Sequence, residues 1–162
     1  LGRADGAASQ EPALMRAIPP PLWALLMLAG TWGLSLAPGL NTLPAMQTRP
    51  YGLIVILAAL ALVFAAMLQF RLANTQLLPN SPTNNALVTG GLFAVTRNPM
   101  YLGMVVFCIG GALWMERPVM LAAPFLMFAV ANGVFIPFEE AKMRRQFGDS
   151  FEAYCKRVRR WL

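Results

Sequence analysis

The stretch GLIVILAALALVFAAML, residues 52–68, carries neither a charge nor a hydrogen-bonding side chain. A helix that is apolar on every face has no side to turn toward water, so it sits in a large core or in lipid. The uncharged run containing it extends from 50 to 70, closed by Arg49 and Arg71. A membrane-spanning helix needs about 17–25 mostly apolar residues, and this run supplies them. It predicts a span over 51–70.

Four further uncharged runs flank it, at 17–48, 72–96, 98–115 and 118–138. Three of them are apolar enough to span. The run 72–96 is uncharged but polar, with Asn74, Gln76, Asn80, Asn84 and Asn85 among its residues. The first span is expected over 20–36, entered through Pro19, Pro20 and Pro21, where a missing N–H costs little, and ended by Pro38-Gly39. The third is expected over 99–115, with Gly103 and Gly110 seven apart on one face, which permits close approach of a neighbour. The fourth runs from 118 to 138, with Pro124 and Pro137 as points where it bends. The chain is 57% hydrophobic and 12% charged, against about 45–50% and about 25% in soluble domains. The fold class is therefore all-α: an integral membrane helical bundle of about four transmembrane helices, followed by a C-terminal amphipathic helix.

Charge fixes the orientation. An even number of spans puts both termini on one side, which collects Arg3, Arg16, Arg71, Arg97 and seven cations after residue 138; Arg49 and Arg117 fall opposite. Cytoplasmic loops carry the excess of Lys and Arg, so the termini and the 71–97 segment are expected in the cytoplasm. The net charge of +6 is explained by this asymmetry and by anionic headgroups, and no nucleic-acid partner is expected. The sequence has no histidine and two distant cysteines, Cys108 and Cys155. That excludes histidine-based catalysis and leaves no metal-type spacing; no metal is expected. Residues 1–17 read as a flexible leader, with Met15 as a natural start, and 18–162 as one membrane domain.

Polar chemistry gathers in two cytoplasmic segments. In the first, Thr89-Gly90-Gly91 is followed by Arg97-Asn98-Pro99, which starts a helix whose free N–H groups suit a carboxylate or phosphate. The alternative reading makes Arg97 only a topology anchor and Asn98 only a helix cap. In the second, Glu139-Glu140 directly follow an apolar helix, placed to hold an ammonium or hydroxyls, or to neutralise nearby cations. Asn132 lies seven residues before Glu139, on about the same helical face; a polar residue within a span is a functional candidate. After a break at Gly148, Phe147, Phe151, Tyr154, Val158 and Trp161 recur at helical spacing and predict one apolar face, lying on the membrane or covering the protein's own cytoplasmic surface.

These residues carry a family resemblance. LVTGGLFAVTRNPMYLG (87–103), a hydrophobic hairpin, then EEAKMRRQFGDSFEAYCKRVRRW (139–161) resemble the isoprenylcysteine carboxyl methyltransferase and phospholipid methyltransferase superfamily, in particular its small bacterial members, over about residues 71–162. The resemblance implies an S-adenosylmethionine-dependent methyltransferase of the bacterial inner membrane, with its cofactor pocket facing the cytoplasm and a lipophilic acceptor entering from the bilayer. By position it assigns cofactor binding to Asn85, Ala86, Leu87, Val88, Phe93, Asn98, Pro99, Met100, Tyr101 and Glu139, and importance for activity to Arg97 and Glu140. Asn98 stands where the family usually has histidine. Phe135 stands where the isoprenylcysteine enzymes have a substrate-binding arginine, so Phe135 and Asn132 are the candidates on the acceptor side. The acceptor stays open among an isoprenylcysteine carboxylate, a phospholipid amine and a small thiol. Methyl transfer from a sulfonium is an in-line displacement that needs mainly positioning and charge placement. Only an amine acceptor needs a base, for which Glu139 and Glu140 are the nearby candidates. Two other classes fit the same composition: an NADPH-dependent membrane reductase of the sterol-reductase type, and a non-catalytic membrane subunit.

Overall fold

The structure, a computed structural model, describes residues 18–40, 47–73 and 86–162; the leader 1–17 and most of the polar run after Ala73 lie outside them. Helix α1 is Pro20–Leu34, α2 Arg49–Leu72 and α3 Pro99–Met115. A 3-10 turn, Pro118–Leu121, leads into α4, Ala122–Val130; a π-turn, Ala131–Phe135, joins it to α5, Ile136–Phe147; and α6 is Asp149–Arg157. A second 3-10 turn, Gly91–Ala94, precedes α3. Among the described residues, two helical stretches are long and apolar enough to cross a membrane, Arg49–Leu72 and the composite Pro118–Phe147, and two shorter apolar helices, α1 and α3, accompany them. The protein is an integral membrane helical protein.

The starts of these helices follow from proline. Pro20, Pro50 and Pro99 each occupy a first or second helical position, where the absent N–H has no intrahelical partner to lose. The ends follow from backbone conformation. Glu116 closes α3 in the left-handed region at φ 56°, and Gly148 separates α5 from α6 at φ 48°.

Helices α2 and α3 pack along a seam of small residues. The buried positions of α2 are Gly52, Ala59 and Ala66, spaced by seven, and they meet Gly103 and Gly110 of α3. A Cβ on Gly103 would stand 3.3 Å from the Ala59 carbonyl oxygen, and one on Gly110 2.8 Å from the Ile56 nitrogen. Small side chains let the two backbones approach, which is how helices associate where lipid removes the hydrophobic drive between them. The rest of α2 is turned outward, with Tyr51, Ile54 and Phe64 more than 60% exposed. In a bilayer those side chains face hydrocarbon, so their exposure costs nothing.

A first apolar cluster joins α1, α3 and α4 around Ala24, Met104, Cys108, Met127 and Phe135. A second lies at the other end and joins Ala66 of α2, Phe93, and Phe151, Tyr154 and Val158 of the C-terminal segment. The amphipathic face of α6 therefore covers the protein itself. Trp161 departs from that face. Helix α6 ends at Arg157, and Val158 is extended at φ −123°, ψ 132°. The chain thus carries Trp161 to the first cluster, where its ring lies 4.6 Å from that of Phe128.

The fourth helical stretch also departs from the expected register. It passes Pro124 as α-helix and breaks into the π-turn ahead of Pro137, with the Ile136 N–H donating to the Ala131 carbonyl five residues back. Pro137 has no N–H for the α-helical ladder, and the wider turn absorbs the mismatch. One inserted residue shifts every later side chain by about a hundred degrees. Asn132 consequently shares a face with Glu140, eight residues on, rather than with Glu139.

Candidate functional site

A cleft opens where the end of α2, the segment before α3, α5 and α6 converge, enclosing about 540 Å³ including its mouth. Phe70, Phe93, Met143 and Phe151 give it apolar walls, and Arg97, Asn98, Glu139 and Glu140 give it a polar edge. Ala86, Leu87 and Val88 complete the lining. They run as non-helical chain ahead of the Gly91 turn. Gly91, at φ 59°, packs directly against the Gln69 side chain, and Gln69 Oε1 accepts from the Leu92 N–H at 3.3 Å. That turn brings Phe93 back over α2, its ring 4.8 Å from Phe70.

Glu140 is the electrostatic centre of the polar edge. It is 5% exposed, and its Oε1 accepts from Arg97 Nη2 at 2.9 Å and Arg160 Nε at 3.1 Å, while Oε2 accepts from Arg160 Nη2 at 2.6 Å. Arg144, on the exposed side, stands at 3.9 Å. Arg97 Nη1 also donates to the carbonyls of Cys155 and Val158, each at 3.0 Å. Its Nε is buried and has no hydrogen-bond partner among the described residues. Two guanidinium groups around one buried carboxylate leave positive charge in excess at this end.

Glu139, one residue earlier, points elsewhere. Its Oε1 accepts from the Tyr101 hydroxyl at 2.6 Å. The two glutamates thus line one cleft but take different partners: a step of one residue separates them by about a hundred degrees on the helix. The cleft is consequently polarised, with net positive charge near Arg97 and a carboxylate bonded to a tyrosine at Glu139.

Asn98 does not cap α3. Its side chain makes no cap bond; instead Nδ2 donates to the Arg160 carbonyl at 2.9 Å. The Arg97 N–H donates to the Arg159 carbonyl at 3.0 Å and Thr96 Oγ1 to the Arg160 carbonyl at 3.2 Å. Residues 158–162 are thus strapped across the start of α3. Across the cleft, the Tyr154 hydroxyl donates to the Phe93 carbonyl at 2.7 Å. Burial pushes its pKa up to about 12, so it remains a neutral donor. Burial also raises the Cys155 thiol above its ordinary range.

Of the residues singled out from the sequence, Ala86, Leu87, Val88, Phe93, Arg97, Asn98, Glu139 and Glu140 come together at the cleft. Asn85 lies outside the described residues. Pro99 is fully buried at the head of α3, Met100 packs against the second cluster, and Tyr101 acts behind the lining through Glu139. Phe135 is fully buried, stacked on Tyr101 with centroids 6.0 Å apart. The Asn132 side-chain oxygen is taken by Arg160 and Trp161. Sequence reasoning missed Phe70, Met143, Phe151 and Tyr154 as lining residues. The last two were visible as part of the amphipathic pattern but were not connected to a cleft. It also missed Arg160, which nothing in the run Arg157-Val158-Arg159-Arg160 distinguishes from its neighbours.

A family model described as phospholipid methyltransferase matches residues 48–150. An uncharacterized protein of Haemophilus influenzae is 30% identical over 63 residues, 39% of this chain and the whole of that protein. A probable protein-S-isoprenylcysteine O-methyltransferase of Oryza sativa subsp. indica is 29% identical over 72 residues, 44% of this chain and 38% of the relative. Protein-S-isoprenylcysteine O-methyltransferase A of Arabidopsis thaliana is 29% identical over 113 residues, 67% of this chain and 55% of the relative. The chain spans between 38% and 55% of the length of these two plant proteins.

Proposed function

The chain belongs to the phospholipid methyltransferase family, and from that premise we propose that it is an S-adenosylmethionine-dependent integral membrane methyltransferase acting on a lipophilic acceptor. The observation that carries this reading is the polarised cleft. The methionine end of the cofactor is a zwitterion, and the cleft offers the positive charge of Arg97 for a carboxylate and Glu139 for an ammonium. Phe70, Phe93 and Leu87 offer an apolar surface for a flat base. The donor set therefore fits the cofactor.

When bound, the cofactor supplies an electrophilic methyl group. The residues of this chain orient it and exclude water. Glu140 is engaged by two arginines, which suits it to fixing Arg97 in place. An amine acceptor needs a base, and Glu139 and Glu140 are the nearby carboxylates; a carboxylate or thiolate acceptor needs no such step. Both belong to a single membrane domain over 18–162, with α1, α2, α3 and the composite Pro118–Phe147 as four spans. The excess of Lys and Arg beside the cleft supports a cytoplasmic cofactor entrance, in the inner membrane of a bacterium. The acceptor is one of an isoprenylcysteine carboxylate, a phospholipid amine or a small thiol, reached from lipid.

The test is calorimetric titration of the detergent-purified chain with S-adenosylmethionine and, separately, NADPH. Binding of the first alone is expected, and Glu139→Ala should weaken it by at least about tenfold, the loss of one charge-assisted contact. Heat with NADPH alone, or with neither ligand, would overturn the reading. Labelled methyl transfer into membrane extracts then identifies the acceptor.

A further inference from the structure

We propose that Asn132 is a positioning residue for the cofactor cleft: its side-chain oxygen latches the C-terminal strap, and through Arg160 it holds the Glu140–Arg97 pair in place. The inference rests on the cleft being the cofactor site.

The strap, residues 158–162, has no helix or sheet ladder of its own. On one side it is tied to the start of α3 through the carbonyls of Arg159 and Arg160. On the other side Arg160 ties it to Glu140 of α5, and one atom of the π-turn holds it as well. Asn132 Oδ1 accepts from Arg160 Nη1 at 3.3 Å and from Trp161 Nε1 at 3.2 Å. With that bond made, all three guanidinium nitrogens of Arg160 are engaged, Nε and Nη2 on Glu140 and Nη1 on Asn132. A planar fork held at three corners cannot rotate. Without Asn132 it is held along one edge only, and the Arg160 side chain is 35% exposed, with room to swing away. Glu140 is the group Arg160 shares with Arg97, whose side chain is 13% exposed and lines the cleft. Loosening Arg160 therefore loosens the cleft wall.

The π-turn strengthens the argument. In an unbroken α-helix, residue 132 would align with 139 and lie about a hundred degrees away from 140. The extra residue between Ala131 and Phe135 turns Asn132 onto the Glu140 face, where both reach one arginine. Such turns are rare and recur at functional sites. A packed apolar residue at 132 would fill the same space without requiring that alignment.

The test uses the full chain in detergent with two variants, Asn132→Leu, which keeps the volume and removes the acceptor, and Asn132→Asp, which keeps an acceptor oxygen for both donors. Two quantities are read: the dissociation constant for S-adenosylmethionine, and the rate at which trypsin cleaves after Arg160, followed by mass spectrometry. Asn132→Leu should weaken cofactor binding about tenfold, as expected for the loss of one fixed polar contact. It should release Trp161-Leu162 several times faster, while the thermal midpoint without ligand shifts by no more than about 5 °C. Asn132→Asp should stay within about twofold of the wild type in both readouts. Wild-type affinity in Asn132→Leu, or equal loss in both variants, would overturn the proposal. If Asn132→Leu does not purify folded, Trp161→Phe, which removes one donor to the same oxygen, replaces it with the same two readouts. If the wild type itself binds no S-adenosylmethionine, the functional reading fails separately. The latch then stands or falls on the tryptic rate alone, an unchanged rate refuting it.

Discussion

Replacing Glu140 by glutamine tests the electrostatic centre of the site with almost no change of shape. The carboxylate accepts three bonds from two guanidinium groups, at 2.9, 3.1 and 2.6 Å. An amide keeps one acceptor oxygen and turns the other into a donor. If the oxygen stays at Oε1, an NH₂ group faces Arg160 Nη2; if it flips, the NH₂ faces both Arg97 and Arg160 Nε. One or two charge-assisted bonds are lost in either case, each worth about 1.5–3 kcal/mol. The Arg160 share is discounted because that side chain is 35% exposed and water screens it. Breaking a buried ion pair on one side costs about 3–5 kcal/mol in other proteins. The expectation for Glu140→Gln is therefore about 3 kcal/mol, the low end of that range. For a chain of this size it corresponds to a fall of about 6–12 °C in the thermal midpoint. The assay is thermal unfolding in detergent, followed by tryptophan fluorescence and by recovery of monodisperse protein after heating. Combining Glu140→Gln with Arg160→Leu removes one orphaned charge, so the double variant should lose less than the sum of the singles, by about 1 kcal/mol. A midpoint within about 2 °C of the wild type, or strict additivity, would show that the network is not a buried ion pair.

Other perturbations address the seam, the roof of the cleft and the free thiol. Gly52→Ala places a Cβ 2.7 Å from the Trp114 Cα, against backbone that cannot rotate away; the variant should unfold at least about 5 °C lower. Gly30→Ala, with nothing within 4 Å of the new carbon, should be neutral or gain up to about 1 kcal/mol, and an equal loss in both would contradict the α2–α3 seam. Tyr154→Phe deletes the 2.7 Å bond to the Phe93 carbonyl and leaves that acceptor unsatisfied. It should cost about 1–3 kcal/mol, read by the same unfolding assay, and a neutral result would place the ring elsewhere. Burial raises the Cys155 pKa, so less thiolate is present at any given pH below it. Iodoacetamide should label Cys155 more slowly at pH 7.5 than a free thiol with pKa about 8.5, and the rate should keep rising above that pH. Labelling as fast as a free thiol would refute the partly buried placement.

Much of this could be read before any coordinates. The span 51–70 follows from composition alone, and the observed α2 differs from it by two residues at each end. Prolines marked the starts of α1 and α3, and α3 runs over the expected 99–115. The order of the motifs around Arg97 and Glu139 carried the family. The register of the fourth stretch could not be read the same way. Periodicity assumes an unbroken helix, and the π-turn before Pro137 moved Asn132 from the Glu139 face to the Glu140 face. Trp161 was assigned to the face of α6 for the same reason, since a pattern at helical spacing does not announce that the helix has ended at Arg157.

By itself the sequence determined which segments are apolar helices, where the polar chemistry gathers and to which family the chain belongs. Each of these depends on residue type summed over a short stretch, and such sums need no knowledge of the partner. Only the tertiary structure decided that Glu139 and Glu140 serve different partners, that Asn98 ties down a strap rather than capping a helix, and that Arg160 is the cation at the centre. These are questions of which atom lies within 3 Å of which. In the C-terminal segment the answer turns on an extended residue at Val158, and in the fourth stretch on one extra residue in a turn. Pro137 announces a bend in the fourth stretch but not the extra residue that makes it, and the extended Val158 has no signature in the local composition. Both are set by contacts with distant parts of the chain.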